Sequence, residues 1–138
     1  MPRARINEMK YDGYERLYLL ELIESNSKVW AYGLEHDNYV ESGFKIMEEI
    51  VGKECDFSIE WVNKIKVAIF DVDEIVQDKL GSSHTACNVT VSKVIDLDSF
   101  EFFSESLGTV VVELENDVDF LGVDSKVSFT GNLRADFI

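Results

Sequence analysis

Apolar and polar residues alternate most strictly at the end of the chain. From Val127 to Phe137 the odd positions are Val127, Phe129, Gly131, Leu133, Ala135 and Phe137, and every even position is polar. A period of two belongs to a strand with one buried face. A tight hairpin at Gly131-Asn132 would set Phe129 opposite Arg134 and mix the faces, so the pattern predicts one strand kinked at Gly131. The same reasoning covers Phe57 to Ile69. Its odd positions carry Phe57, Ile59, Trp61, Asn63, Ile65, Val67 and Ile69, so one long, bent or bulged strand is expected there instead of a hairpin at Asn63-Lys64. Further strands are expected over Asn88–Leu97 and Val110–Glu115 and around Val118–Leu121. Tyr14–Glu24 and Val29–Tyr32 read as an opening hairpin about the turn residues Ser25 to Lys28.

Three segments have helical spacing. Val40, Phe44, Met47 and Val51 form one stripe, with Glu41, Lys45, Glu48 and Glu49 opposite, Asp37 as a cap and Gly52 at the end. Val72, Ile75, Val76 and Leu80 recur at helical intervals from Asp71 to Leu80, before Gly81. Phe100, Phe103 and Leu107 suggest a third helix, with Asp98 and Glu101 at capping-box spacing. The implied order is β-β-α-β-α-β-α-β-β-β, an α+β domain with a largely antiparallel twisted sheet and about three helices. Residues 1–12 read as a flexible N-terminal arm and 13–138 as the single domain.

Length and composition fit one domain: 138 residues, 46% hydrophobic, with no apolar run near the roughly 18 residues of a membrane span. The start of the chain is positive but has no apolar core of a signal peptide, so a cytoplasmic location is expected. Cys55 and Cys87 have no close-spaced motif and read as buried, reduced thiols.

Charge changes the picture most. The net charge is −14, and it is uneven. Residues 1–70 hold 9 basic and 13 acidic side chains, whereas residues 71–138 hold 4 and 14, a net of −10 for the second half. Such a surface repels nucleic acid and anionic membrane and attracts basic partners. Within it Glu113 and Glu115 share the outward face of a strand, and Asp117, Asp119 and Asp124 extend the series through the following turns. These five carboxylates are the candidate partner-binding residues. The same residues also suit a solvated sheet face that guards strands against aggregation.

Other chemistry is sparser. Val67-Ala68-Ile69-Phe70-Asp71-Val72-Asp73 resembles the first motif of haloacid-dehalogenase-type phosphatases. The resemblance covers fewer than ten residues. It implies Asp71 as nucleophile, Asp73 as general acid/base and a magnesium ion between substrate and carboxylates. The family's Gly and Thr after the second Asp are Glu74 and Ile75 here, and both Asp residues also suit the start of the following helix. Gly122 to Gly131 resembles an OB-fold strand entry, but the basic, aromatic groove such a fold uses for nucleic acid conflicts with the acidic half that holds it. His84 and Cys87 have a zinc-like spacing that His36 and Cys55 would have to complete. Asp117, Asp119 and Asp124 lack the twelve-residue order of a calcium loop.

The expectation is therefore a small acidic binding protein without catalytic residues, metal or cofactor. Its most concrete form is a bacterial immunity protein that covers the cationic cleft of a nuclease-type toxin. The alternatives are a magnesium-dependent phosphatase using Asp71 and Asp73, and an accessory subunit with an aromatic interface that includes Trp30 and Tyr32. Oligomeric state is left open.

Overall fold

The computed structural model describes residues 2–12, 15–34 and 52–137. Among these described residues nine strands follow in order: β1 (Arg3–Asp12), β2 (Glu15–Leu22), β3 (Lys28–Leu34), β4 (Lys53–Val67), β5 (Glu74–Val76), β6 (His84–Asp96), β7 (Ser99–Ser104), β8 (Gly108–Leu114) and β9 (Lys126–Phe137). They form one sheet ordered β1-β2-β3-β9-β4-β8-β7-β6-β5, with further pairings of β1 to β4 and of β9 to β6. Those two pairings close two five-stranded rings. One is β1-β2-β3-β9-β4 and the other β9-β4-β8-β7-β6, so the β4–β9 ribbon belongs to both.

Both strands of the ribbon are single, as their sequence predicts, although β4 ends at Val67, and Val67 and Ile69, expected inward, are exposed. β9 is one strand whose residues from Val127 to Ala135 alternate buried and half-buried. β4 is one 15-residue strand with two bulges. In the first, Trp61 and Val62 together oppose Gly131, and in the second, Lys64 and Ile65 oppose Phe129. Trp61 and Lys64 take φ of 56° and 59°, the left-handed conformation that lets a bulge turn the strand. Gly131 is required by space. A Cβ there would lie 2.6 Å from Ile59 Cγ2, 2.7 Å from Val62 Cγ2 and 3.0 Å from the Glu60 carbonyl oxygen.

Both rings fill from the same face of the ribbon. Phe57, Ile59 and Leu133 join Ala4, Ile6, Leu20 and Leu22 from the first ring and Phe100, Phe102, Val110 and Val112 from the second in one buried cluster. Each large apolar side chain so buried contributes about 1.5–3 kcal/mol. Across the junction between the rings, Gln77 acts as a short strand would. Trp30 N–H donates to its Oε1 at 2.8 Å, and its Nε2 donates to the Trp30 carbonyl at 2.6 Å and to Thr85 Oγ1 at 3.0 Å.

The fold class expected from the sequence is corrected. The sheet is largely antiparallel, with β3–β9 and β4–β8 as parallel pairs, but no helix accompanies it among the described residues. The protein is mostly sheet and not α+β. The segment Ser99–Ser104, expected as a helix, is β7. Phe100 and Phe102 both point inward between β6 and β8, a period of two that outweighs the helical spacing of Phe100, Phe103 and Leu107. The Asp71–Leu80 helix is also absent. Residues 74–76 pair with β6, and Val72 and Leu80 are exposed. A ten-residue helix alone is marginal in water, whereas the edge of β6 offers hydrogen-bond partners.

Two smaller expectations also change. Residues 3–12, expected as an arm, form β1 against β2. Val118–Leu121 is not a strand but packs Val118, Phe120 and Leu121 against the core. The Val40–Val51 helix lies outside the described residues. The opening hairpin is present as β2 and β3, with Asn26 at φ 57° in its turn.

Gly131→Ala is expected to destabilise the protein by about 1–3 kcal/mol in urea unfolding, because side chains and backbone at the bulge must shift. Gln77→Ala, which strips both partners from Trp30, is expected to cost about 1–3 kcal/mol in the same measurement.

Candidate partner-binding surface

Three elements meet where β8 ends. The Leu114 N–H donates to the Asp98 carbonyl at 2.7 Å, the Glu115 N–H to the Val62 carbonyl at 3.1 Å and the Val118 N–H to the Leu97 carbonyl at 2.9 Å. The chain leaving β8 is thus held between the β6–β7 turn on one side and the first bulge of β4 on the other. Around this junction Asp96, Asp98, Glu113, Glu115, Asp117 and Asp119 are all exposed. Glu113 to Asp119 contribute four carboxylates that make no ion pair or side-chain hydrogen bond among the described residues. Asp96 Oδ1 accepts from the Leu97 N–H at 2.7 Å, which fixes the turn.

The structure therefore brings together four of the five carboxylates expected at the site. It separates the fifth. The Asp124 N–H is bound to the Val91 carbonyl at 2.8 Å. Val91 lies five positions before Asp96, the last residue of β6, about 16 Å at the rise of an extended chain. Asp96 and Asp98 stand at the junction instead. In the sequence Asp98 resembled a helix cap, and the pairing of β6 with β7 places both residues at the β6–β7 turn, where the Asp98 carbonyl accepts from Leu114 of β8.

Apolar residues stand among these acids. Ile95 is 47%, Leu97 57% and Trp61 54% exposed. Trp61 is the functional candidate that alternation concealed. Its odd position assigned it to the inward face, but the bulge buries Val62 instead and turns Trp61 outward. On the β8 side, Ile59 pairs with Val112 and Val62 with Leu114, so Glu60 and Trp61 lie opposite Glu113. The Trp61 ring stacks on Tyr32 with centroids 5.6 Å apart and planes 10° apart. The Tyr32 hydroxyl donates to Glu60 Oε2, and Arg134 Nη1 donates to Glu60 Oε1 at 3.0 Å. Trp30 and Tyr32, the aromatics expected at an accessory-subunit interface, are themselves buried, at 8% and 5% exposure.

The other candidate chemistry is dispersed. Asp71 lies exposed in a bend. Asp73 accepts from the Thr90 N–H at 3.2 Å and from Thr90 Oγ1 at 2.9 Å, so its carboxylate ties the β5 segment to β6 instead of capping a helix. His84 is exposed and Cys87 buried, because residues three apart on a strand face opposite ways. Among the described residues no group of three or more His, Cys, Asp or Glu is placed to hold a metal ion. A groove of about 830 Å³ runs between the β2–β3 turn, the β5 segment and the end of β7, over Val89 and Phe102. Its rim carries Glu24, Asp73 and Glu105, of which Glu24 is paired with Arg3 at 2.9 Å. No helix among the described residues is long and apolar enough to cross a membrane. Comparison with protein-family models, with curated proteins and with solved structures found no match.

The two thiols are chemically quiet. Burial, helped by the carboxylates of Asp136 and Asp56, pushes Cys55 from 9.0 up to about 12, and burial alone does the same for Cys87. Both are free and inside the core. Neither thiol is expected to react with a disulfide-exchange reagent at pH 8 until the protein unfolds; free-thiol rates in native buffer would contradict this. Since the folded values are raised, the stabilisation is complete below the unfolded thiol value and is lost as pH climbs from about 9 towards 12.

Proposed function

We propose that this protein is a non-catalytic inhibitor whose acidic end captures a basic protein partner. The concrete form is an immunity protein that covers the cationic cleft of a nuclease-type toxin in the cytoplasm. The observation that supports this reading is the convergence of Asp96, Asp98, Glu113, Glu115, Asp117 and Asp119 around exposed Trp61, Ile95 and Leu97. A nuclease cleft must be cationic to hold a phosphate backbone. An acidic surface competes for that cleft by the same long-range attraction, raising the encounter rate and orienting the approach.

The apolar residues supply what charge alone does not. Exposed ion pairs contribute little to affinity, whereas buried aromatic anchors near the centre of an interface dominate it. An acidic field for capture with a small apolar centre for retention suits a tight inhibitor. The protein's own folding does not use these carboxylates, since Glu113 to Asp119 make no ion pair or side-chain hydrogen bond among the described residues.

Binding to the purified product of a toxin-sized reading frame beside its gene tests the proposal. The association rate constant is expected to fall steeply with added salt. Glu113→Lys, Glu115→Lys and Asp117→Lys together are expected to lower it by about tenfold or more. Asp124→Lys, at the remote position, is expected to change it far less. An association rate indifferent to salt and to the triple reversal would overturn the proposal.

A further inference from the structure

We infer that Trp61 is the seat for an arginine side chain of the basic partner, received flat on the exposed face of the indole and flanked by Glu113 and Glu115. This inference rests on the acidic end being the binding surface, and it names the chemical group recognised there.

Three observations carry it. First, one face of the Trp61 ring is already backed by Tyr32, parallel to it at 5.6 Å, which holds the indole at a set orientation while 54% of the residue stays exposed. Tyr32 is itself held by its hydroxyl bond to Glu60, and Glu60 by Arg134. The platform is therefore organised before any partner arrives, which lowers the ordering cost of binding. Second, its neighbours across β8 are anionic. Glu113 lies opposite the bulge that carries Trp61, and Glu115 is joined to Val62 through the backbone. The cation already present, Arg134, is engaged with Glu60 at 3.0 Å and Asp136 at 3.3 Å, whereas Glu113 and Glu115 make no ion pair among the described residues.

Third, the geometry distinguishes between cations. A guanidinium is planar and weakly hydrated, so it stacks on an indole while its edge N–H groups reach carboxylates at the side. A lysine ammonium is a compact, strongly hydrated charge that gains from the carboxylates but little from a flat ring. A partner surface that presents arginine thus obtains both contacts at one position. Phe103, the other strongly exposed aromatic among the described residues, lies towards the opposite end of β8, paired with Thr109, and no ring of the described residues is stacked on it.

The test uses the intact protein with an oligo-arginine peptide and an oligo-lysine peptide of equal length, followed by the two indole N–H resonances. Trp30 is 8% exposed and serves as the internal reference. Oligo-arginine is expected to shift the Trp61 resonance, leave that of Trp30 in place and bind more tightly than oligo-lysine. Trp61→Gly, which suits the positive φ of the bulge, is expected to weaken oligo-arginine about fivefold while changing oligo-lysine little. Trp61→Leu, which keeps an apolar side chain, is expected to behave as the glycine variant does. Glu113→Gln with Glu115→Gln is expected to weaken both peptides. Equal binding of the two peptides with an unmoved Trp61 resonance would overturn the arginine seat while leaving the acidic surface standing. If neither peptide binds the wild-type protein at low salt, the acidic-surface reading fails and the inference with it.

Discussion

The close crossing of β4 and β9 at Gly131 is the contact on which the other features depend. The two strands run the length of both rings, and β1 and β8 dock in succession along one edge of β4. β6 and β3 do the same along β9. To serve both rings the ribbon must bend. It does so through two-against-one bulges on β4, and the first is possible only because the opposing residue has no side chain. Closed rings also leave few open strand edges, which matters in a protein whose described residues are mostly sheet.

That bulge has a second consequence at the surface. An unbroken strand would bury Trp61 and expose Val62; the extra residue reverses them. It also places two β4 residues, Glu60 and Trp61, against Glu113. A device that curves the ribbon for core packing therefore creates an outward aromatic beside a row of carboxylates. Bulges commonly re-aim a side chain in this manner near sites of function. The left-handed backbone at Trp61 costs on the order of 1–3 kcal/mol in isolation, and the packing of Val62 and Ile59 around Gly131 holds it in place.

The acidic junction is an electrostatic load that the fold tolerates because it is wet. Six carboxylates around one strand end repel each other, yet all are exposed, and salt and water weaken interactions between exposed charges beyond about 8 Å. The backbone hydrogen bonds from Leu114, Glu115 and Val118 hold the junction together, and of the six carboxylates Asp96 adds one bond, to the Leu97 N–H. The carboxylates of Glu113 to Asp119 are thus left out of the contacts that hold the sheet among the described residues.

Much of the sheet was legible in the chain. The alternation in β9 and the register argument for β4 depend on burial of one face, and that rule acts locally, so it identified both strands; the irregularity expected as a kink of β9 at Gly131 is instead a bulge of β4 opposite that residue. The acidic excess of the second half was equally plain from composition. Helical spacing over Asp71–Leu80 and Phe100–Leu107 misled because short apolar sets fit both periods, and the choice between them belongs to whichever neighbour supplies hydrogen bonds. Here β6 and β8 supplied them. The sequence by itself determined the inward face of β9 and that of β4 at Phe57 and Ile59, the need for a bend and the sign of the charge; Val67 and Ile69, expected inward, are exposed. Tertiary structure alone decided that residues 3–12 would close a ring, that Asp96 and Asp98 would join Glu113 to Asp119 without Asp124, and that Trp61 would face solvent. The physical reason is that pairing partners distant in the chain set strand register, and register determines which side chains meet.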